Sequence, residues 1–599
     1  MKLFITALIG SFLLYQTASA NPDTAQLVPR TWNGQKYGCK CYFGDQCWPD
    51  SRTWNALNTT VDGNLAVYVP PEAACHTFFN GTLGTISTYD QAKCDTVTAN
   101  YSSEKWITDQ DMLLLWRYWT NSTCLPTTES SSPCTLGYYG VYLLKATKIA
   151  HIKAGVDFAR RNNIRLVVRN SGHDFVGRST GWGALVINTH SFQDIKFVDK
   201  WDAPGGYSGG AVTIAAGVQG RPLLRQAVAQ KPPVTVVTGE CPTVGVAGGY
   251  VQGGGHGPLT TQLGFAADNA LSFDVITADG EYVTANAKEN PDLFWALKGG
   301  GPAAFAVVVS ATFKTFPEMR SAGATLYINS THVTNETLYW EGVRIFHSHA
   351  NSFVDAGLYV YFTITPLTLR VRPWVAFNQT AAGLDAILAP FKADLTAAGI
   401  PFENTPAKEY TTFFDLYIDL FEDESGGTPM LTSGWMFSRQ DIAANNDGII
   451  TAFKKAISPR EDLVNKGYMV GHLWNAGYGV PVPNSATNPR FRDAANLILY
   501  NLPVPTNATL EQKADIEDLL ANTLDRTMRA TGPKGCAYIN EADPLQENWQ
   551  DHFWGPDVYP KLLETRKKWD PHGVFYAIST PGTEDWEVIE YGTRLCKKL

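Results

Sequence analysis

Beyond its first twenty residues this chain has no apolar run long enough to cross a bilayer, which excludes spanning helices. Positive charge is also short. The 48 Lys and Arg stand against 57 Asp and Glu, a net −9, so neither nucleic acid nor an anionic membrane is expected as the main partner. No internal repeat and no long low-complexity tract interrupts the 599 residues. Cysteine is scarce through most of the length: between residues 135 and 595 only Cys241 and Cys536 occur. What remains, 44% hydrophobic and 12% aromatic, describes a folded chain too long for one ordinary domain.

The exception to the missing apolar runs is at the start. Met1–Ala20 has Lys2, a largely apolar stretch from Leu3 to Leu14, and Ala18-Ser19-Ala20 as a cleavage site, the pattern of a secretory signal peptide. Eight Asn-x-Ser/Thr sequons (Asn58, Asn80, Asn100, Asn121, Asn329, Asn335, Asn378, Asn507) agree with export as a glycoprotein. The other eight cysteines, Cys39, Cys41, Cys47, Cys75, Cys94, Cys124, Cys134 and Cys596, then suit four disulfides. One of these should reach Cys596, and Cys124 with Cys134 brackets a Thr/Ser/Pro-rich loop. The Cys39/Cys41/Cys47 cluster lacks histidine partners, so no metal set is expected. Cys241 and Cys536 are left over, and a fifth bridge between them is one reading of both.

Residues 21–134 read as an irregular Cys-rich arm, and periodic structure follows it. Ala146–Asn163 has helical spacing and Ile164–Val168 reads as a strand, as do Ala184–Asn188, Ala211–Ala216 and Val234–Thr238. Phe273–Ala278 and Tyr282–Ala285 flank an Asp-Gly turn, a hairpin signal. Past residue 320, antiparallel strand candidates (Leu326–Ile328, Gly357–Thr363, Val371–Phe377) alternate with helices at Glu336–His349, Ala381–Ala398 and Ile442–Ile457. Thr509–Ala530 reads as one amphipathic helix. The fold class is α+β, with a sheet domain at about 320–525 and a C-terminal segment, 526–599, returning to the domain at 135–319.

The densest glycine lies at Gly239–Gly257, where eight of nineteen residues are Gly and Cys241 stands near the front. A plain linker would be Gly/Ser. Val244, Val246, Tyr250 and Val251 thread this one, which suits backbone brought close to a bound ligand. Gly253-Gly-Gly-His-Gly257 does not spell the dinucleotide fingerprint G-x-G-x-x-G, so a Rossmann site is not expected.

Val168-Arg-Asn-Ser-Gly-His-Asp174, Cys241-Pro-Thr-Val-Gly245, Gly253–Gly257, Gly264–Asn269, Pro291–Gly301 (PDLFWALKGGG) and Tyr538-Ile-Asn540 with Asp570-Pro571 and Phe575 stand in this order. Together they resemble the FAD-linked oxidases of the vanillyl-alcohol-oxidase superfamily, berberine-bridge-enzyme-like group. Cys39-Lys-Cys41 and Cys47-Trp-Pro49 are similar to its fungal secreted isoamyl alcohol oxidases. The resemblance implies a two-part FAD-binding domain and a substrate domain with an antiparallel sheet and helices. It implies FAD cradled by Arg169, Asn170, Ser171, Gly172, His173 and Asp174 together with Val244, Gly245, Gly248, Gly249, Gly253, Gly255, Gly257 and Asn540. It also implies bonds from His173 and Cys241 to the flavin. Asn540 matches a flavin-ring contact, and Val244 the small residue near the flavin edge.

Such enzymes pass a hydride from substrate carbon to flavin N5 while a base takes a proton. Tyr538, Glu541, His472 and Asp543 are the candidates for that base. His256 is read as packed. The expected reaction is oxidation of an alcohol or activated C–H of a small molecule, O2 becoming H2O2, by a secreted monomer. An oxidative cyclase or tailoring enzyme, a flavin dehydrogenase with another acceptor, and a non-catalytic binding glycoprotein are the alternatives.

Overall fold

A computed structural model describes residues 26–330, 333, 335–464, 466–477 and 483–599. The signal-peptide reading of Met1–Ala20 lies outside the described residues.

The first half builds two sheets. Tyr142–Lys145, Leu185–Asn188 and Leu166–Arg169 pair in parallel, and Leu65–Val67 adds an antiparallel edge. The strands are short and apolar because they are covered: helix Ile149–Arg161 lays Ile152, Val156 and Ala159 over them. The second sheet is antiparallel, in the order Tyr282–Asn286, Ala270–Thr277, Ala306–Lys314, Ser208–Ala215, Ile195–Asp202. It contains the expected hairpin.

The second half is one seven-stranded antiparallel sheet. Its order is Glu403–Tyr410, Ser321–Asn329, Thr368–Phe377, Tyr359–Ile364, Tyr468–Leu473, Ala494–Pro503, Met430–Ser438. Side chains alternate across it as strand geometry requires. Val360, Phe362 and Ile364 turn toward helices Glu336–Ser348, Ala381–Ala397 and Arg439–Ile457, where Phe346, Phe353, Trp374 and Phe391 form a ring cluster. Tyr361, Thr363, Arg370, Arg372, Tyr468, Val470 and His472 turn the other way and line a cavity.

Three expectations need correction. The N-terminal arm is not irregular. It holds helices Ser51–Thr60, Gln91–Asn100 and Glu104–Asp109, each with an Asp or Ser side chain accepting from an amide in its first turn, and it supplies the edge strand Leu65–Val67. Val234–Thr238 pairs only at Val234–Thr235, because its partner strand is the two-residue Phe316–Pro317. The helix expected over Thr509–Ala530 divides into Leu510–Asp518, a π-helical stretch Leu519–Leu524 and Asp525–Thr531, a form that keeps Leu519, Leu520 and Leu524 buried.

The cysteines pair as Cys39–Cys596, Cys41–Cys47, Cys75–Cys94 and Cys124–Cys134. Gln35–Cys39 and Arg594–Lys598 are neighbouring strands, so the first bridge joins the two ends of the chain within one sheet. Cys241 and Cys536 are both free, and Cys536 is buried against the Met436 sulfur at 3.8 Å. The C-terminal segment returns to the parallel sheet through Phe575 beside Leu166. Asp570 fixes that return by accepting from the Val574 and Phe575 amides, each at 2.8 Å.

Candidate active site

A cavity of about 760 Å³ lies between the glycine-dense stretch and the polar face of the seven-stranded sheet. Its floor begins where the strand Leu166–Arg169 ends. Gly172 has φ +78°, and a Cβ there would stand 2.6 Å from the Leu113 carbonyl, so only glycine suits this turn. Among the described residues, the backbone N–H groups of Ser171, Gly172, His173 and Asp174 donate to no protein acceptor. Four successive free amides on a cavity wall make an anion-binding concavity. The Asp174 carboxylate holds the next turn by accepting from Val176 and Ser179 N–H.

His173 and Cys241 both open onto this cavity. The His173 Nε2 lies 2.6 Å from Thr243 Oγ1 and 3.4 Å from Glu104 Oε1. Cys241 keeps company with carboxylates: its sulfur is 3.8 Å from Glu240 Oε1, and Glu424 is close by. Burial, then Glu424, Glu240 and Glu104, hold the thiol well above its usual range. Burial also raises Glu424, which reaches about 7 as Glu104 and Glu240 push it up against the pull of His173.

The opposite wall carries the candidates for proton transfer. Glu541 holds His256 Nε2 with both oxygens at 3.1 Å. Burial works to lower His256, but the Glu541 carboxylate outweighs it and the ring is raised overall. His256 stacks on Trp474 at 4.8 Å, so it is packed as expected, yet it also lines the cavity. His472 bonds Tyr359 through Nδ1 at 2.9 Å, and burial and then His256 hold it well below the usual histidine range. The Tyr538 hydroxyl accepts from Asn540 Nδ2 at 2.8 Å and from the Gly255 amide at 3.3 Å. Burial, followed by Glu541, raises Tyr538, so it stays a neutral phenol and a poor base. Glu240, His256 and His472 bring donor atoms within 4.8 Å of one another, compact enough for a cation, although Glu541 and Tyr359 already engage the two rings.

Most of the expected residues meet here: Asn170, Ser171, Gly172, His173, Asp174, Cys241, Val244, Gly245, Gly248, Gly249, His472, Tyr538, Asn540 and Glu541. Five do not reach the wall. Gly253, Gly255 and Gly257 lie one layer behind it, where a Cβ would meet Asn540 at 2.3 Å, Ala266 at 2.8 Å and the Thr238 carbonyl at 2.0 Å. They are glycines because protein packs on them. Arg169 points away and donates to the carbonyls of Ile107, Thr108 and Leu113, clamping the end of helix Glu104–Asp109. Asp543 is buried beside Asp525, off the cavity, and burial raises its carboxyl. Sequence reasoning missed Glu104, Glu240, Thr243 and Glu424. Glu240 and Thr243 stand inside motifs already quoted, and a rare acidic run at Glu422–Glu424 was the one signal for the last.

Residues 141–286 match the FAD binding domain family and residues 537–578 the berberine and berberine-like family. The FAD-linked oxidoreductase ZEB1 of Gibberella zeae is 37% identical over 561 residues, 93% of this chain and 95% of that protein. The chain belongs to the FAD-linked oxidoreductases of the vanillyl-alcohol-oxidase type. The crystal structure of the VAO-type flavoprotein MtVAO615 from Myceliophthora thermophila superimposes with a TM-score of 0.85 at 32% identity, covering 94% of this chain and all of that one. A glucooligosaccharide oxidase from Acremonium strictum, described as holding 6-S-cysteinyl, 8α-N1-histidyl FAD, shares the fold at 20% identity. Its TM-score is 0.59, over 74% of this chain and 92% of that one.

As a member of this family the chain is an FAD-dependent oxidoreductase, and its cavity is chemically suited to the cofactor. The free amide row fits a pyrophosphate. Asn170 Oδ1 and Gln252 Oε1 are buried without partners among the described residues, beside a cavity in which both residues take part.

Proposed function

We propose that this is a secreted oxidase that removes a hydride and a proton from an alcohol or activated C–H of a small organic substrate, with O2 reduced to H2O2. The cofactor is FAD bound through both His173 and Cys241. The observation that carries the reading is that these two side chains and the free amides of Ser171–Asp174 share one cavity roofed by the polar face of the seven-stranded sheet. Bound FAD supplies the hydride acceptor. Asn170, the amide row and Gly245–Gly249 would hold it, and Asn540, anchored to the Gly249 carbonyl at 3.0 Å, would orient its ring.

Glu541 takes the substrate proton. It faces the cavity and holds the raised His256 with both oxygens, whereas Tyr538 is kept protonated and His472 neutral. Tyr538 and His472 orient substrate by hydrogen bonds. The roof offers hydroxyls and the Arg370 and Arg372 guanidinium groups, both paired with Glu422, so a hydroxylated substrate suits it.

Export is supported by the four disulfides and by the eight sequon asparagines, none of which is buried. A substrate panel read by H2O2 release tests the reaction. Recolouring of the bleached enzyme only with an added quinone would turn the reading to a dehydrogenase. Acid-precipitated protein tests the links: Cys241→Ala and His173→Ala should each stay yellow, and the double variant should be colourless.

A further inference from the structure

The deepest part of the His173 environment is supplied by a segment with no motif in it. Glu104 opens the short helix Glu104–Asp109 of the N-terminal arm, capped by Ser103 and clamped by Arg169 at its other end. The residue is only 2% exposed. One oxygen accepts the Glu424 amide at 2.7 Å, and the other accepts the Thr243 hydroxyl. Each oxygen acts as an acceptor, which is the pattern of an ionised group. Burial alone would raise this carboxyl, but His173, Thr243 and the Glu424 amide lower it overall.

The Thr243 hydroxyl has one hydrogen, and the Glu104 carboxylate takes it. Thr243 Oγ1 therefore can only accept at its 2.6 Å contact with His173, so His173 Nε2 carries the proton. In the neutral ring the lone pair then lies on Nδ1. Among the described residues Nδ1 has no hydrogen-bond partner. The ring is fixed through Nε2, and Nδ1 is the unpartnered nitrogen of a residue that lines the cavity.

We propose that Glu104, acting through Thr243, is the positioning residue that equips His173 to bond itself to the flavin, so that the N-terminal arm is part of a self-modifying activity of this chain. The proposal rests on the reading above that His173 carries a flavin link. In the net step one C–H of the 8α methyl breaks and one C–N bond forms at Nδ1. The Nε2 proton of the alkylated ring passes toward the Thr243–Glu104 pair. The two electrons released go through the isoalloxazine to dioxygen, which with two protons becomes H2O2. One hydrogen is lost from the methyl and one from the imidazole, so the balance closes.

The test removes the second anchor first. In a Cys241→Ala background, covalent flavin is measured by acid precipitation and intact mass, and dissociable FAD by absorbance of the native protein. Cys241→Ala alone should hold one covalent FAD. Adding Glu104→Gln should slow covalent incorporation on the order of 10²-fold while native FAD binding persists. Adding Thr243→Val should do the same, and Thr243→Ser should keep the wild-type rate. The Thr243 pair decides the matter if Glu104→Gln does not fold. Wild-type incorporation in the folded Glu104→Gln or Thr243→Val protein overturns this role and leaves the His173 link standing. A colourless pellet from Cys241→Ala itself overturns the His173 link, and this role with it.

Discussion

His347 makes the half of the chain that carries the seven-stranded sheet sensitive to acid, by an amount the structure allows to be worked out. The ring lies on helix Glu336–Ser348, 1% exposed, edge-on to Phe453. Its Nδ1 meets Asn446 Oδ1 at 2.6 Å and its Nε2 meets Asn496 Nδ2 at 2.8 Å. An acceptor on one side and a donor on the other fit only the neutral ring. Burial lowers His347 from 6.5 to about 4 against a small upward pull from Asn446.

The sign follows from which state binds the proton. Between these values the unfolded chain takes it up and the folded chain does not, so stability is present above 6.5 and lost as the pH falls. Linkage makes this one ring withdraw about 2 kcal/mol between about pH 7 and about pH 4.5. His347→Gln supplies the same donor and acceptor without titrating. Urea unfolding of the holoenzyme, followed by tryptophan fluorescence at both pH values, should show the variant losing about 2 kcal/mol less than the parent. Equal acid losses in the two proteins would refute the reasoning.

Glu541→Gln should lower kcat by about 10²–10⁴-fold with FAD still bound, read by anaerobic bleaching on substrate. An unchanged rate of bleaching would remove Glu541 as the base. Arg492 grips the buried Asp268 with two bonds, 2.6 and 2.7 Å, and Arg492→Met removes that buried charge's ion-pair partner, for a loss of about 3–5 kcal/mol in urea unfolding. Gly255→Ala would force a Cβ to 2.9 Å from the Tyr250 ring at φ +76° and should cost about 1–3 kcal/mol, visible as a lower thermal midpoint. Opening Cys39–Cys596, which spans 557 residues, by Cys596→Ser removes about 6 kcal/mol in the chain-entropy account, and a free Cys596 thiol in the parent's unreduced peptide map would contradict the bridge.

The sequence by itself determined what is written in short windows. Strand and helix periods marked part of the elements, among them three of the seven strands of the large sheet. The turn Asn170–Asp174, the Cys241–Gly245 segment and Asn540 carried the family and the expectation of FAD because each stands in a short contiguous motif. Windows also misled. Gly253, Gly255 and Gly257 look like ligand contacts in the sequence, since glycine signals close approach without saying whether the approaching group is cofactor or protein.

Only the tertiary structure decided the pairings that set chemistry. Glu104 and Thr243 are 139 residues apart, and His256 and Glu541 285 apart. The proton affinities of Tyr538, His472 and Glu424 depend on burial and on charges from other segments, and no local pattern encodes them. A peptide's conformation is set by its neighbours in sequence, whereas the state of a proton is set by its neighbours in space.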